Sequence, residues 1–342
     1  MSDFLEYPDP MTVFNVLYSH AAGDGREAAL FGDSIRFARP AAANSLIGKD
    51  LPSFYLEFPL LGVPCFDLLT VYGEIKPGGH FAPGGGYGYQ PMFNWFSSLP
   101  SGHGASCGIT MDTGSGETER AGIYLQQRRK TELIAPFLDS IGERGRLDSY
   151  IRVFEQMPAE TAPAYIGLFP GREGSPLRIG GYMDKPFLDA AAADPGKLAL
   201  WFDRIGFTAY TKTMPDHCAE LLSYAPGADY QFDIYPDGTL GDTFGLSLSF
   251  NDVKPRMAAE CMEKGYGKSV MTLLERWGLA DERWKKIAGA AAGKRIRVEK
   301  EDGTPVSLAM IVRFNYAKVK FKAGAPVSAK FYFLLAASEL PQ

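Results

Sequence analysis

No stretch of this 342-residue chain approaches the roughly 18 to 20 apolar residues needed to cross a bilayer as a helix. The longest late run, Phe331 to Ala337, is only the length of a strand, so a membrane-embedded helical enzyme is not expected. Basic residues are not in excess: 35 Lys and Arg against 40 Asp and Glu leave a net charge of −5, which gives no reason to expect a nucleic-acid partner. Cysteines number four (Cys65, Cys107, Cys218, Cys261), far apart and without a C-x-x-C string, which fits buried thiols in a reducing compartment. The four histidines (His20, His80, His103, His217) form no H-x-x-x-H, so a zinc site is not expected. The opening MSDFLEYPDP carries acids and prolines where a signal peptide needs basic and apolar residues, and is read as a mature cytoplasmic start.

Two short strings invite the wrong chemistry. Asp112-Thr113-Gly114-Ser115 after an apolar segment matches the aspartic protease signature, but that chemistry needs two carboxylates sharing a proton and no second such string exists. It is read as a hairpin turn. Gly84 to Gly88 has no strand close before it and no capped helix with Lys-Ser or Lys-Thr after it, so it is read as a loop rather than a phosphate cradle.

What the chain has in quantity is 38 Gly, 24 Pro and a large aromatic set of 23 Phe, 17 Tyr and 4 Trp, as expected of many short strands and turns around aromatic surface. The first fifty residues read as helical, with Met11 to His20 at helical spacing and Asp33 to Gly48 interrupted by Pro40. From residue 54 the texture changes to paired β-rich runs. Phe54–Phe58 and Cys65–Tyr72 make the first hairpin, followed by a Gly-rich loop from Pro77 to Gly88 that is long enough to act as a lid. Four further pairs follow: Ala105–Met111 with Glu119–Gln127, Ala164–Phe169 with Leu177–Met183, Tyr230–Tyr235 with Thr243–Phe250, and Ser307–Phe321 with Val327–Ala337. Helix-like sequence lies between them at Lys130 to Gln156, Phe187 to Ile205 and Lys254 to Trp277.

Units of this kind cannot bury their faces singly and must share one core. Five antiparallel hairpins (54–337) make ten strands, and closing them removes edges that would otherwise invite aggregation. The expectation is an α+β fold: one domain over 1–342, a closed ten-stranded antiparallel β-barrel surrounded by α-helices, with an open two-sheet α+β layer structure as the alternative. A ten-stranded barrel is wider than the roughly eight-stranded one that side chains fill, leaving a lumen for a ligand.

The outer face of each strand must be apolar to meet helices, so the alternate residues face the lumen. In the second hairpin these are Arg120, Gly122, Tyr124 and Gln126; in the third they are Arg178, Gly180 and Tyr182. The spacing R-x-G-x-Y thus occurs twice at equivalent places, and the last strand offers Lys330 and Tyr332 in one phase. Cations enclosed in a barrel call for an anion, and guanidinium with phenol hydroxyls suits phosphate oxygens. Tyrosine rings beside them can stabilise a carbocation, by roughly 0.5 to 2 kcal/mol per contact. A diphosphate at one end and a cation among aromatic rings is what prenyl transfer needs. The competing reading places these bases at strand ends, snorkelling to water.

The hairpin-plus-helix order and several strings resemble the ABBA prenyltransferases, whose ten-stranded barrel (the PT barrel) holds a prenyl diphosphate and an aromatic acceptor. Phe232-Asp233-Ile234-Tyr235-Pro236 resembles the strand of the bacterial phenol and naphthalene branch that ends in a diphosphate-binding tyrosine. Asp67 falls where that branch has an aspartate that helps hold Mg²⁺ and diphosphate, and Arg120, Tyr182 and Lys330 fall at or near its basic, tyrosine and basic positions. The fourth and last pairs are also similar to cyanobactin-type peptide prenyltransferases, in which a first-strand glutamate takes part in acceptor activation; Glu57 is the nearest match. One departure is that Thr243 to Phe250 contains no base, where the family presents one. Arg313, or Lys318 and Lys320, stand in the penultimate strand as compensation, but a regular strand puts Arg313 on one face and the two lysines on the other.

The resemblance implies a prenyl diphosphate co-substrate, Mg²⁺ as a possible cofactor held by Asp67, and a small phenol or indole, or a peptide Tyr or Trp, as acceptor. Arg120, Arg178 and Lys330 with Tyr124, Tyr182, Tyr235 and Tyr332 would hold the diphosphate. Glu57 would be the base, its pKa raised by an apolar barrel; the alternative is a surface-facing strand residue. The absence of a D-D-x-x-D string argues against a helical isoprenoid synthase. The rival from another class is a non-catalytic barrel that binds a hydrophobic ligand or peptide.

Overall fold

The computed structural model describes residues 5–44, 51–73, 89–114, 117–127, 130–170 and 174–341, with the side chains of residues 44 and 117–120 left aside. The Gly-rich stretch Pro77–Gly88 with His80, the turn residues Ser115 and Gly116, and the tip 171–173 of the third hairpin lie outside these residues.

Among the described residues twelve strands form one sheet: β1 (Leu5–Glu6), β2 (Ser53–Pro59), β3 (Asp67–Tyr72), β4 (Ser106–Asp112), β5 (Glu117–Gln126), β6 (Pro163–Leu168), β7 (Leu177–Met183), β8 (Ala228–Ile234), β9 (Leu240–Ser249), β10 (Ala292–Glu299), β11 (Pro305–Lys322) and β12 (Ala325–Glu339). The order β11-β12-β2-β3-β4-β5-β6-β7-β8-β9 closes because β9 pairs back onto β11, Thr243 to Ser249 opposite Lys322 to Tyr316. The expected five hairpins therefore make a closed ten-stranded antiparallel barrel. β10 and β1 were not foreseen. The 18-residue β11 is long enough to serve two neighbours, its first half pairing with β10 and its second half with β9, while β1 adds in parallel to β10.

Burial in the first strands alternates without a break. In β2 and β3 every second residue is buried, and the residues between are half-buried. The fully buried set (Phe54, Leu56, Phe58, Leu68) faces outward, because there it meets helices rather than solvent. Phe14 of the helix Pro10–Ala22 packs on Phe54 at 4.9 Å between ring centroids, and Phe31 meets Phe58 edge-on. On the far side Trp201 of the helix Pro195–Arg204 lies among Tyr230, Phe232 and Phe244. Phenylalanine dominates the outer wall because it brings no polar atom that needs a partner, while the Trp201 N–H and the Tyr230 hydroxyl find theirs on Thr161.

Each long helical stretch is broken where its sequence dictates. The run 187–205 divides into Lys185–Ala193 and Pro195–Arg204 at Asp194, whose carboxylate caps the second helix through the Gly196 N–H, with Pro195 at its first position. The run 254–277 divides into Ala258–Glu263 and Tyr266–Arg276 at Gly265. Among the described residues no helix is long and apolar enough to cross a membrane.

Candidate active site

Cross-strand register shows how the inner face is built. Tyr182 of β7, Asp229 of β8, Ser247 of β9, Lys318 of β11 and Lys330 of β12 each stand opposite the next. A second row runs Gln126, Tyr165, Gly180, Gln231, Gly245, Lys320. A third runs Tyr124, Gly167, Arg178, Asp233. Glycines in these rows are functional in shape: a Cβ on Gly167 would stand 2.8 Å from the Tyr124 ring, and one on Gly180 would enter the ring of Tyr165. Removing Cβ lets each tyrosine lie flat across its neighbouring strand and keeps the lumen open.

The lumen holds two connected spaces that share Glu57, Gln231 and Lys318. One, of about 200 Å³, is lined by Tyr55, Tyr124, Tyr165, Tyr182, Tyr316 and Tyr332 with Leu69, Val71, Asp229 and Ser247. The other, of about 320 Å³, is lined by Arg178, Lys318, Lys320, Lys330, Asp233 and Thr243. One end of the barrel is therefore phenolic and the other cationic.

The cations are partly neutralised by carboxylates. Arg178 makes a two-pronged pair with Asp233, Nε and Nη2 at 2.8 and 3.1 Å, and lies 4.3 Å above the Phe169 ring. Lys330 Nζ stands between Glu57 Oε1 at 3.1 Å and Asp67 Oδ2 at 2.9 Å. Burial alone would raise Glu57, but the charges of Lys330 and Lys318 and the Tyr332 hydroxyl outweigh it and hold the carboxyl down at about 2. Asp67 is pushed above its usual value by burial, against the pull of Lys330 and with the adjoining charge of Glu57. The same two carboxylates hold the Lys330 ammonium firmly protonated against its own burial.

No protein-family model matches the sequence, and no curated protein does. Solved structures do match along nearly the whole chain. The 5-dimethylallyltryptophan synthase of Streptomyces coelicolor superposes with a TM-score of 0.56 at 12% identity, over 96% of this chain and 97% of that one. The same enzyme in complex with DMASPP and Trp gives 0.55 at 13% identity, over 98% and 96%. The prenyltransferase PriB, as a binary complex with product diphosphate, gives 0.56 at 12% identity, over 96% of each chain. The fold is that of the aromatic prenyltransferase barrels.

Within this barrel the sequence-derived candidates separate into groups. Arg178, Lys318, Lys320 and Lys330 line the cationic space, Tyr124, Tyr182 and Tyr332 the phenolic one, and Glu57 both. Lys318 and Lys320 stand opposite Ser247 and Gly245, on the strand next to β9, which carries no base. The conflict of phase in β11 is resolved by a bulge between Phe314 and Ala317, which turns Arg313, Lys318 and Lys320 onto the same face. Arg313 sits opposite Leu334, beyond the phenolic end, and lines neither space. Tyr182 accepts a hydrogen bond from Gln126 at 2.6 Å and is 44% exposed, at the mouth rather than beside the cations. Arg120 lies in β5, but its side chain is outside the described residues.

Three expectations need correction. Tyr235 does not join the cavity: it follows β8 in the turn closed by the Gly238 N–H to Tyr235 carbonyl hydrogen bond, and its ring packs near Gly174 and Gly241. Glu57 faces the lumen as expected, but its acid strength moves opposite to the expected direction, since two lysines oppose the burial. Asp67 has both oxygens engaged, Oδ1 by the Gly114 N–H at 3.1 Å and Oδ2 by Lys330. With the Lys330 ammonium standing between the two carboxylates, Asp67 offers no free oxygen to a cation in this arrangement, and no cluster of three or more His, Cys, Asp or Glu among the described residues could hold a metal on protein ligands alone.

Residues missed in the sequence include Asp229, Gln231 and Asp233 of β8 and Tyr55, Tyr165 and Tyr316. Those of β8 carry a legible signal, three polar residues alternating with Tyr230, Phe232 and Ile234. Tyr316 stands two residues before Lys318 and shares the face of the two lysines, but which face of that strand is the inner one appears only with the bulge between Phe314 and Ala317.

Proposed function

We propose that this protein transfers a prenyl group from an allylic prenyl diphosphate to an aromatic acceptor. The observation that carries the reading is a single lumen with cations at one end and phenol rings at the other. The solved complexes of the same fold with DMASPP and Trp, and with diphosphate, support it.

Arg178, Lys318, Lys320 and Lys330 bind the diphosphate and stabilise the charge that develops as the allylic C–O bond breaks. Lys318 Nζ donates to the Tyr332 hydroxyl at 3.4 Å and lines both spaces, so it marks where the leaving group meets the tyrosines. The phenol rings then face the allylic cation and shield it from water. The acceptor, a small phenol or indole or a peptide Tyr or Trp, enters from the Tyr182 side, because among the tyrosines lining the phenolic space that one is exposed. Lys330 supplies locally the positive charge that a metal would, so the reaction runs without Mg²⁺. Four free cysteines fit a cytoplasmic setting.

One observation favours a second reading, a barrel that binds a ligand without turnover: Asp233, Glu57 and Asp67 already engage Arg178 and Lys330. One assay separates the two. The protein is incubated with dimethylallyl or geranyl diphosphate and a panel of phenols, indoles and Tyr or Trp peptides, with Mg²⁺ or with EDTA, and products are weighed by mass spectrometry. The transferase reading expects a gain of one prenyl unit, unchanged within about twofold by EDTA. Acceptor binding with no mass gain from any donor establishes the ligand-binding barrel instead.

A further inference from the structure

Asp229 is a buried carboxylate for which diphosphate binding has no use. It lines the phenolic space and not the cationic one. Every strand packed around it presents a group to it: Tyr182 from β7 and Ser247 from β9 stand directly opposite, Ser247 hydrogen-bonds to it, and Lys318 of β11 is the cation acting on it. Tyr165 of β6 and Tyr316 of β11 are near enough for their phenols to feel its charge.

Alkylation of an aromatic ring or heteroatom ends with loss of a proton, and the base must lie on the acceptor's side with a basic lone pair to spare. Glu57 fails the second condition: Lys330 is 3.1 Å from it, Tyr332 donates to it, and it is held strongly acidic. Asp229 meets both. We infer that Asp229 is the catalytic base that takes the proton the acceptor loses on prenylation, an inference that rests on the transferase reading above. The allylic C–O bond breaks with its electron pair leaving on diphosphate. A π pair or heteroatom lone pair of the acceptor forms the bond to the allylic carbon. The acceptor's C–H, N–H or O–H pair then stays with the acceptor as its proton passes to a carboxylate oxygen of Asp229, and the neutral acid releases that proton to water between turnovers. Burial pushes this carboxyl up to about 7, against the Ser247 hydrogen bond and the charge of Lys318, so it is a competent base near neutrality.

The test compares wild type, Asp229→Asn and Glu57→Gln over pH 5 to 9, with equilibrium binding of dimethylallyl S-thiolodiphosphate as the control for an intact donor site. Wild-type kcat is expected to rise about tenfold per unit up to pH 7 and then level. Asp229→Asn should lose that limb and at least about a hundredfold in kcat, keep donor-analogue affinity within twofold, and acquire a primary isotope effect with acceptor deuterated at the reacting position. Glu57→Gln should keep the limb whatever its rate. An Asp229→Asn enzyme within twofold of wild type, or a wild-type profile without a limb near pH 7, overturns the inference while leaving the transferase standing. Absence of transfer by wild type overturns the transferase reading itself. Should Asp229→Asn fail to bind the analogue, the wild-type limb and its retention in Glu57→Gln decide.

Discussion

Replacing Asp229 by Asn also tests the burial of that carboxyl independently of any reaction. Asn has the same shape and can still accept from Ser247, so the variant chiefly removes a charge from a site that is 8% exposed. The folded protein holds the carboxyl at about 7, against 3.8 for an ordinary aspartate. The native state therefore binds the proton more tightly than the unfolded chain, and stability falls as pH rises between those values. Below pH 3.8 there is no penalty; above pH 7 it is complete, about 4 kcal/mol at roughly 1.4 kcal/mol per unit. Between pH 5 and pH 8 wild type should lose about 2.7 kcal/mol relative to Asp229→Asn, two units' worth of that span. With about 2.1 cal/mol/K of unfolding entropy per residue over 342 residues, this is roughly 4 °C in Tm. The assay is thermal unfolding of both proteins at the two pH values, read as the change in their Tm difference. A difference that stays constant with pH, or moves in wild type's favour at pH 8, refutes the desolvation argument.

Two further perturbations follow from the same lumen. Lys330→Met leaves Glu57 and Asp67 side by side without their cation, which should cost about 3 to 5 kcal/mol at pH 7. Glu57 is held below its ordinary value largely by that lysine. The stability it confers on wild type is complete above the ordinary carboxylate value of 4.5 and is lost as pH falls from there toward about 2, so in urea denaturation the variant's deficit should shrink from pH 5 to pH 3, and an unchanged deficit would contradict the ion-pair geometry. Gly180→Val drives a side chain into the ring of Tyr165; a loss of about 1 to 3 kcal/mol and weaker acceptor binding are expected, whereas normal stability would show that the ring has room to move.

The hairpins were legible because alternation in a strand is enforced on both faces at once. On β7, Leu177 and Ile179 must meet helices, so Arg178 and Gly180 are left for the lumen, and no knowledge of the neighbouring strands is needed. What stayed hidden depends on other strands. Alternation placed Gly180 on the lumen face, yet its role, and that of Gly167, appears only when register sets Tyr165 and Tyr124 over them. The acidity of Glu57 depends on Lys330 and Lys318, more than 260 residues away in sequence, and burial considered alone gives the opposite sign.

The bulge in β11 shows most clearly why the site could be read only in part. A strict two-residue period separates Arg313 from Lys318 and Lys320 and makes one group or the other point away from the lumen. The added residue keeps Phe314 and Ala317 both against the helices while turning all three bases inward. The outer wall needs an unbroken apolar face, and the lumen needs cations beside a β9 that has none. A bulge satisfies both without a new strand, and it also brings Tyr316 inward, so that one irregularity supplies the cationic space with two lysines and the phenolic space with a ring.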